Sequence, residues 1–166
     1  MLYGTASPGE ALEAATLQLS VTDLDAFLRK VAANAHFAGI DGVRYLGAEG
    51  PVQARADEYS LEDVITHILR NAHRYRAPES PITIALMCVD STATGSIHNQ
   101  GPPIDPKLVG RIFEYGVSDP GLSEAPEHRG QGLFVAKTYM AKMGGTIAVE
   151  NTGGGVRFSL SLQRVG

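Results

Sequence analysis

Cysteine occurs once in the 166 residues, at Cys88 inside an alternating apolar run, so it reads as a small buried hydrophobe in a chain suited to a reducing cytoplasm. No apolar stretch approaches the roughly 20 residues that span a bilayer, and Met1-Leu2-Tyr3-Gly4 shows no basic segment followed by an apolar one. Direct membrane contact is therefore not expected. The expected location is cytoplasmic, and the chain suits equally the soluble part of a membrane-anchored protein. Basic runs are missing as well: 14 Lys and Arg against 18 Asp and Glu leave a formal charge of -4, which argues against a nucleic-acid partner. Internal repeats are absent. What remains is a length suited to one domain that buries enough surface to fold without covalent staples.

Residues 1–13, with Gly4, Ser7, Pro8 and Gly9, read as a linker or the remnant of a preceding segment, and residues 14–166 as the domain. Leu17, Leu19 and Val21 alternate with polar residues, predicting a half-buried strand over Thr16 to Val21. Thr22 or Asp23 then caps a helix carrying Leu24, Phe27, Leu28 and Val31. Val43 to Leu46 and Val52 to Ala56, separated by Gly47, Gly50 and Pro51, predict two short strands joined as a hairpin. Ser60 with Asp63 gives a capping-box-like start to a helix, whose Leu61, Val64, Ile65, Ile68, Leu69 and Ala72 recur as one buried face. His67, Asn71, Arg74 and Tyr75 fall at helical spacing beside that stripe and so line an edge adjoining the core.

Pro81 to Val89 and Ala93 to His98 predict central strands. Asp105-Pro106 begins a short amphipathic helix with Leu108, Val109, Ile112 and Phe113. Val117 to Arg129 has almost no apolar period and predicts a long surface loop, a segment that often serves as a lid. Gly130 opens a helix whose Leu133, Ala136, Met140 and Met143 share a face, with a stop at Gly144-Gly145. Ile147 to Glu150 and Val156 to Leu162 form a terminal hairpin in which Val156, Phe158, Leu160 and Leu162 point inward. The interleaving implies an α/β protein, a two-layer sandwich of a mixed sheet with helices on one face.

Four short boxes occur in a fixed order: His67 to Tyr75, Asn99-Gln100-Gly101-Pro102-Pro103-Ile104, Arg111-Ile112-Phe113-Glu114, and Gly130-Gln131-Gly132-Leu133. From Thr16 to Leu162 the chain resembles the catalytic ATP-binding domain of sensor histidine kinases. That domain has a Bergerat-type fold and belongs to the GHKL superfamily with gyrase, the mismatch-repair ATPases and the heat-shock chaperone ATPases. The resemblance implies that Asn71 coordinates Mg²⁺ on the ATP phosphates, in keeping with a hard cation that retains waters and takes few protein oxygens. It gives Arg74 either a phosphate contact or a solvated charge, and Tyr75 either a place beside the nucleotide or one in the core. Asn99, Gly101 and Ile104 match the turn that meets adenine, Phe113 the residue under the lid hinge, and Gly130, Gly132 and Leu133 a helix start whose N–H groups face phosphate. His128 and Arg129 are either closing-lid contacts or loop charges.

Four residues depart from that pattern. Asn99 stands where the family has an aspartate, so it can still accept from the adenine amine but without the strength of an ionised acceptor. Pro103 replaces a glycine and stiffens the turn. Phe134 replaces another glycine. His67 occupies the position of a glutamate in the ATP-hydrolysing relatives and of a second asparagine in many histidine kinases. No residue is assigned as catalytic, because without that carboxylate water lacks its usual base, which suits transfer to a separate acceptor. None of His36, His67, His73, His98 and His128 lies in the family's phosphoacceptor context. The resemblance thus implies donation of the γ-phosphoryl group of Mg-ATP to a histidine on a separate dimerisation domain, followed by relay to a response regulator. Two alternatives stand beside this reading. One is a degenerate, non-catalytic nucleotide-binding or docking module of the same fold, and the other is an anti-sigma-type serine kinase.

Overall fold

A computed structural model of the chain describes residues 16–114 and 132–165. Along these residues run β1 (Ser20–Asp23), α1 (Leu24–Asn34), a 3-10 turn (Ala35–Ala38), β2 (Val43–Leu46), β3 (Gln53–Ala56), α2 (Glu58–Tyr75), β4 (Ile82–Val89) and β5 (Thr92–Gln100). After these come α3 (Pro106–Val109), α4 (Gly132–Lys142), β6 (Thr146–Thr152) and β7 (Gly155–Gln163). The expected lid at residues 117–129 lies outside the described residues.

The main sheet has the order β2-β4-β5-β7-β6, with β2 parallel to β4 and the other neighbours antiparallel. Its inner face carries Ile82, Ile84, Leu86, Ala93, Ile97, Val156, Phe158, Leu160 and Leu162, all buried. Against it lie the six apolar residues of the α2 stripe, none more than 4% exposed, and Ala136, Met140 and Met143 of α4. The expected mixed sheet with helices on one face is present. Gly95 on β5 leaves room for α1, since a Cβ there would sit 3.4 Å from the Leu28 side chain. Among the described residues no helix is long and apolar enough to cross a membrane.

Three local expectations are corrected. First, β2 and β3 do not form a hairpin, because β3 pairs with β1 in a separate two-stranded ribbon. The ribbon attaches to the end of β7 by the Ala54–Arg164 bridge and by the Val165 N–H donating to the Gln53 carbonyl at 2.8 Å. Alternation shows that a segment is a strand, but its partner is chosen by whichever distant edge is available. Second, the first strand starts at Ser20, and its side chains point the opposite way. Thr22 is buried whereas Val21 is 53% exposed, because the register sets Ser20 and Thr22 opposite the fully buried Ala56 and Ala54. The Thr22 hydroxyl meets this burial by donating to the Ser20 carbonyl at 3.3 Å.

Third, α2 is capped by Asp57 rather than Ser60. One Asp57 carboxylate oxygen accepts from the Ser60 N–H at 3.1 Å and the other from the Gln18 N–H at 2.9 Å. These backbone donors, Gln18 first, hold the Asp57 pKa below its ordinary value. A similar tie joins α1 to β2, where Asp25 accepts from the Tyr45 hydroxyl at 2.7 Å, from the Ala48 N–H at 3.2 Å and from Arg29 at 3.2 Å. A carboxylate with a depressed folded-state pKa stabilises the fold above its unfolded value and loses that contribution as pH falls through the folded value. Asp57→Ala is therefore expected to cost about 1 kcal/mol at neutral pH. The smaller deficit of Asp57→Asn should close as pH is lowered through the acid range, as read by urea melts at a series of pH values.

Candidate functional site

The α2 helix places Asp63, His67, Asn71 and Tyr75 four residues apart, so they form one row alongside the buried stripe. Asn71 and Tyr75 are half-buried, and Arg74 is exposed in the last turn. The Tyr75 hydroxyl is buried, which places its tip in the protein interior. His67 pairs with Asp63 at 3.6 Å, one turn earlier.

Two glycines approach this row from different elements. Gly132, at the start of α4, lies against the His67 ring, and a Cβ there would come within 3.0 Å of Nδ1. Gly101, just beyond β5, has φ of +149° and faces the Tyr75 carbonyl so closely that any added Cβ would overlap it. The two contacts bracket Asn71 one helical turn to each side. The glycine at 101 is thus required by the approach of the turn to α2, a packing reason that the sequence reading had not supplied. Leu133 follows Gly132 into α4 and packs partly buried against the core. Gly130 and Arg129, together with His128, lie outside the described residues.

Asn99 ends the inward row of β5, between Ile82 and Val156, and is only 2% exposed. Its amide nitrogen donates to the Gln100 carbonyl at 3.2 Å, and that carbonyl also accepts from the Ala77 N–H at 2.7 Å. One N–H of the amide is used in this bond, which leaves the second N–H and the side-chain oxygen as the groups a ligand can meet. Beyond Gly101, the Ile104 N–H donates to Asn151 Oδ1 at 2.8 Å and the Ile104 carbonyl accepts from Asn151 Nδ2 at 2.9 Å. Asp105 then caps α3 by accepting from the Lys107 N–H at 2.9 Å, with Pro106 in the first turn. The expected longer amphipathic helix is confined to Pro106–Val109, and the chain continues through turns to Glu114. Phe113 there meets Phe158 edge-on, with ring centroids 6.1 Å apart, so it is tied to the centre of the sheet.

Asn151 is the residue that sequence reasoning missed. It sits in the polar run Asn151-Thr152-Gly153-Gly154-Gly155, which reads as an ordinary hairpin turn, and no local pattern announces contacts with Ile104. Gly101→Ala should destabilise the protein by more than about 1 kcal/mol. Gly153→Ala, where an added Cβ meets nothing within 4 Å, serves as the control in the same chemical denaturation series.

The model of the family described as histidine kinase-, DNA gyrase B-, and HSP90-like ATPase matches residues 56–165. Among curated relatives, sensor histidine kinase CusS of Escherichia coli O157:H7 is 31% identical over 126 residues, covering 75% of this chain and 26% of CusS. Sensor protein VanSC of Enterococcus gallinarum is 29% identical over 120 residues, covering 72% of this chain and 33% of VanSC. The chain thus spans about a quarter to a third of the length of these relatives. Among solved structures, the catalytic domain of histidine kinase ThkA superposes with a TM-score of 0.76 at 20% identity, covering 90% of this chain and 100% of that one. Full-length ShkA in complex with AMPPNP superposes with a TM-score of 0.75 at 23% identity, covering 95% of this chain and 34% of that one. At these identities the superpositions establish the fold.

Proposed function

The chain belongs to the histidine kinase-, DNA gyrase B- and HSP90-like ATPase family. From that membership we propose that it binds Mg-ATP and donates the γ-phosphoryl group to a histidine on a separate helical dimerisation domain, within a two-component system that ends at a response regulator. The observation that carries this reading is the pair of glycine contacts, His67 with Gly132 and Tyr75 with Gly101, which converge on α2 on either side of Asn71. Glycines at both points let two backbone segments come close to one polar helix row, Gly132 at the proposed phosphate end and Gly101 at the proposed base end.

In this reading, Asn71 is the residue that would hold the cation, through one neutral amide oxygen. Among the described residues no cluster of three or more His, Cys, Asp or Glu side chains could hold a metal by itself. A hard cation of low protein-ligand demand fits that donor set. When bound, Mg²⁺ supplies charge neutralisation on the phosphate oxygens. Arg74, exposed in the last turn of α2, is a phosphate contact by resemblance, and the N-terminus of α4 at Gly132 and Leu133 would direct backbone N–H groups to the phosphates. Gly130 and Arg129 join this set by resemblance. Transfer breaks the bond from the γ-phosphorus to the β–γ bridging oxygen, forms one to an imidazole nitrogen, and releases ADP. His67 is given no catalytic part in this scheme; its ring packs against Gly132 and lies 3.6 Å from Asp63. Its role is to set the spacing of α2 and α4.

The base lies at the other end, on Asn99 and Gly101, with Tyr75, Ile104 and Phe113 forming the surrounding wall. The oxygen of Asn99 accepts from the adenine amine. A second reading, a docking module without transfer activity, is favoured by the departures at His67, Asn99, Pro103 and Phe134.

Titration with a non-hydrolysable ATP analogue tests both readings. Binding should strengthen with Mg²⁺, and Asn71→Ala should lose about tenfold or more of the Mg²⁺-dependent affinity while retaining the fold. No binding at millimolar nucleotide would replace the kinase reading with the docking one.

A further inference from the structure

The turn from Asn99 to Ile104 has few backbone donors with which to hold itself. Pro102 and Pro103 have no N–H, so after Gly101 the next donor is Ile104. Both donors go to the hairpin between β6 and β7: the Gly101 N–H to the Gly154 carbonyl at 3.0 Å, and the Ile104 N–H to Asn151 Oδ1 at 2.8 Å. The same Asn151 amide returns a bond from Nδ2 to the Ile104 carbonyl at 2.9 Å. Asn151 pairs with Val156, and Val156 pairs with Asn99, so the clamp lies on the sheet row that ends in the buried amide.

We infer that Asn151 is a positioning residue for the nucleobase, holding the turn beyond Asn99 in the shape that receives the base. This rests on the assignment of Asn99 and Gly101 to the base in the proposed function. A side chain that bonds the N–H and the C=O of one residue ties down the two peptide groups that flank it, adding to the packing of the Ile104 side chain against the core. Without the clamp, two prolines separate Gly101 from the Asp105 cap, and no N–H between them holds the segment down. A turn that is competent only part of the time lowers the apparent affinity by the fraction of time it is open. Asn151 is exposed at the hairpin end and contributes nothing to the core, so its removal leaves the packing described above intact.

The test measures binding of an ATP analogue with Mg²⁺ and, separately, of adenosine, to the full chain and to Asn151→Ala, Asn151→Asp and Asn71→Ala. Asn151→Ala should weaken both ligands by the same factor, about threefold to tenfold, because only the base end is loosened. The midpoint of thermal unfolding should move by no more than a few degrees. Amide exchange should quicken at Ile104 while the β5 and β7 amides keep their protection. Asn151→Asp keeps the acceptor for the Ile104 N–H but sets a carboxylate oxygen against the Ile104 carbonyl. It preserves the hairpin's shape and should lose at least as much affinity as Asn151→Ala. Asn71→Ala should weaken the Mg-nucleotide and leave adenosine unchanged. Unaltered adenosine affinity in both Asn151 variants, or a loss confined to the triphosphate, would overturn the inference while the functional reading stands. Failure of the unaltered chain to bind either ligand would overturn the functional reading, and this inference with it.

Discussion

The burial of one stripe of α2 against the sheet is the constraint on which the rest depends. Leu61, Val64, Ile65, Ile68, Leu69 and Ala72 are removed from water together, which fixes the rotation of the helix about its axis. Once that rotation is set, the neighbouring row of Asp63, His67, Asn71 and Tyr75 has no freedom in where it points. It emerges at the boundary of the core, where a polar group is half-desolvated and its contacts carry more weight than they would in open water. The Asp57 cap fixes the start of the same helix and, through Gln18, fastens the chain that precedes β1.

Around this helix the other elements are brought in by close backbone approach. Gly101 and Gly132 are the points of contact, one at the end of a strand and the other at the start of a helix. Each contact is possible because hydrogen replaces a side chain. The β6–β7 hairpin supplies the opposite wall of the turn, so the segment from Asn99 to Ile104 is held between a helix on one side and a hairpin on the other. The arrangement is stiff at the proposed base end. The row itself runs from His67, beside the helix start of α4 at the proposed phosphate end, to Tyr75 at the base end.

Much of this was legible along the chain, and the reason differs from element to element. The α2 stripe and the alternation of Val156, Phe158, Leu160 and Leu162 are local periodicities, and both appear in the structure as read. The spacing of the boxes carried the family, since the helix row, the turn after β5 and the glycine start of α4 each recur with their own neighbours. The first strand reads with its faces reversed because Leu19 and Val21 outweigh Thr22 in any count of apolar residues. Its register instead answers to Ala54 and Ala56 on the partner strand. The cap of α2 was placed at Ser60 because the box-like spacing to Asp63 is a local signal, whereas Asp57 is recognised as the cap by the donors that meet it.

The sequence by itself determined the buried stripe of α2, the inward face of β7 and the order of the site boxes, because each depends on residues within a few turns or strand repeats of one another. Only the tertiary structure decided the partner of β3, the clamp of Asn151 on Ile104 and the orientation of the Asn99 amide. Those are contacts between polar groups whose donors and acceptors are common to every residue or to every amide, so their pairing is chosen by proximity after collapse. Nothing in a composition or a period distinguishes the asparagine that caps a distant turn from one that merely ends a strand.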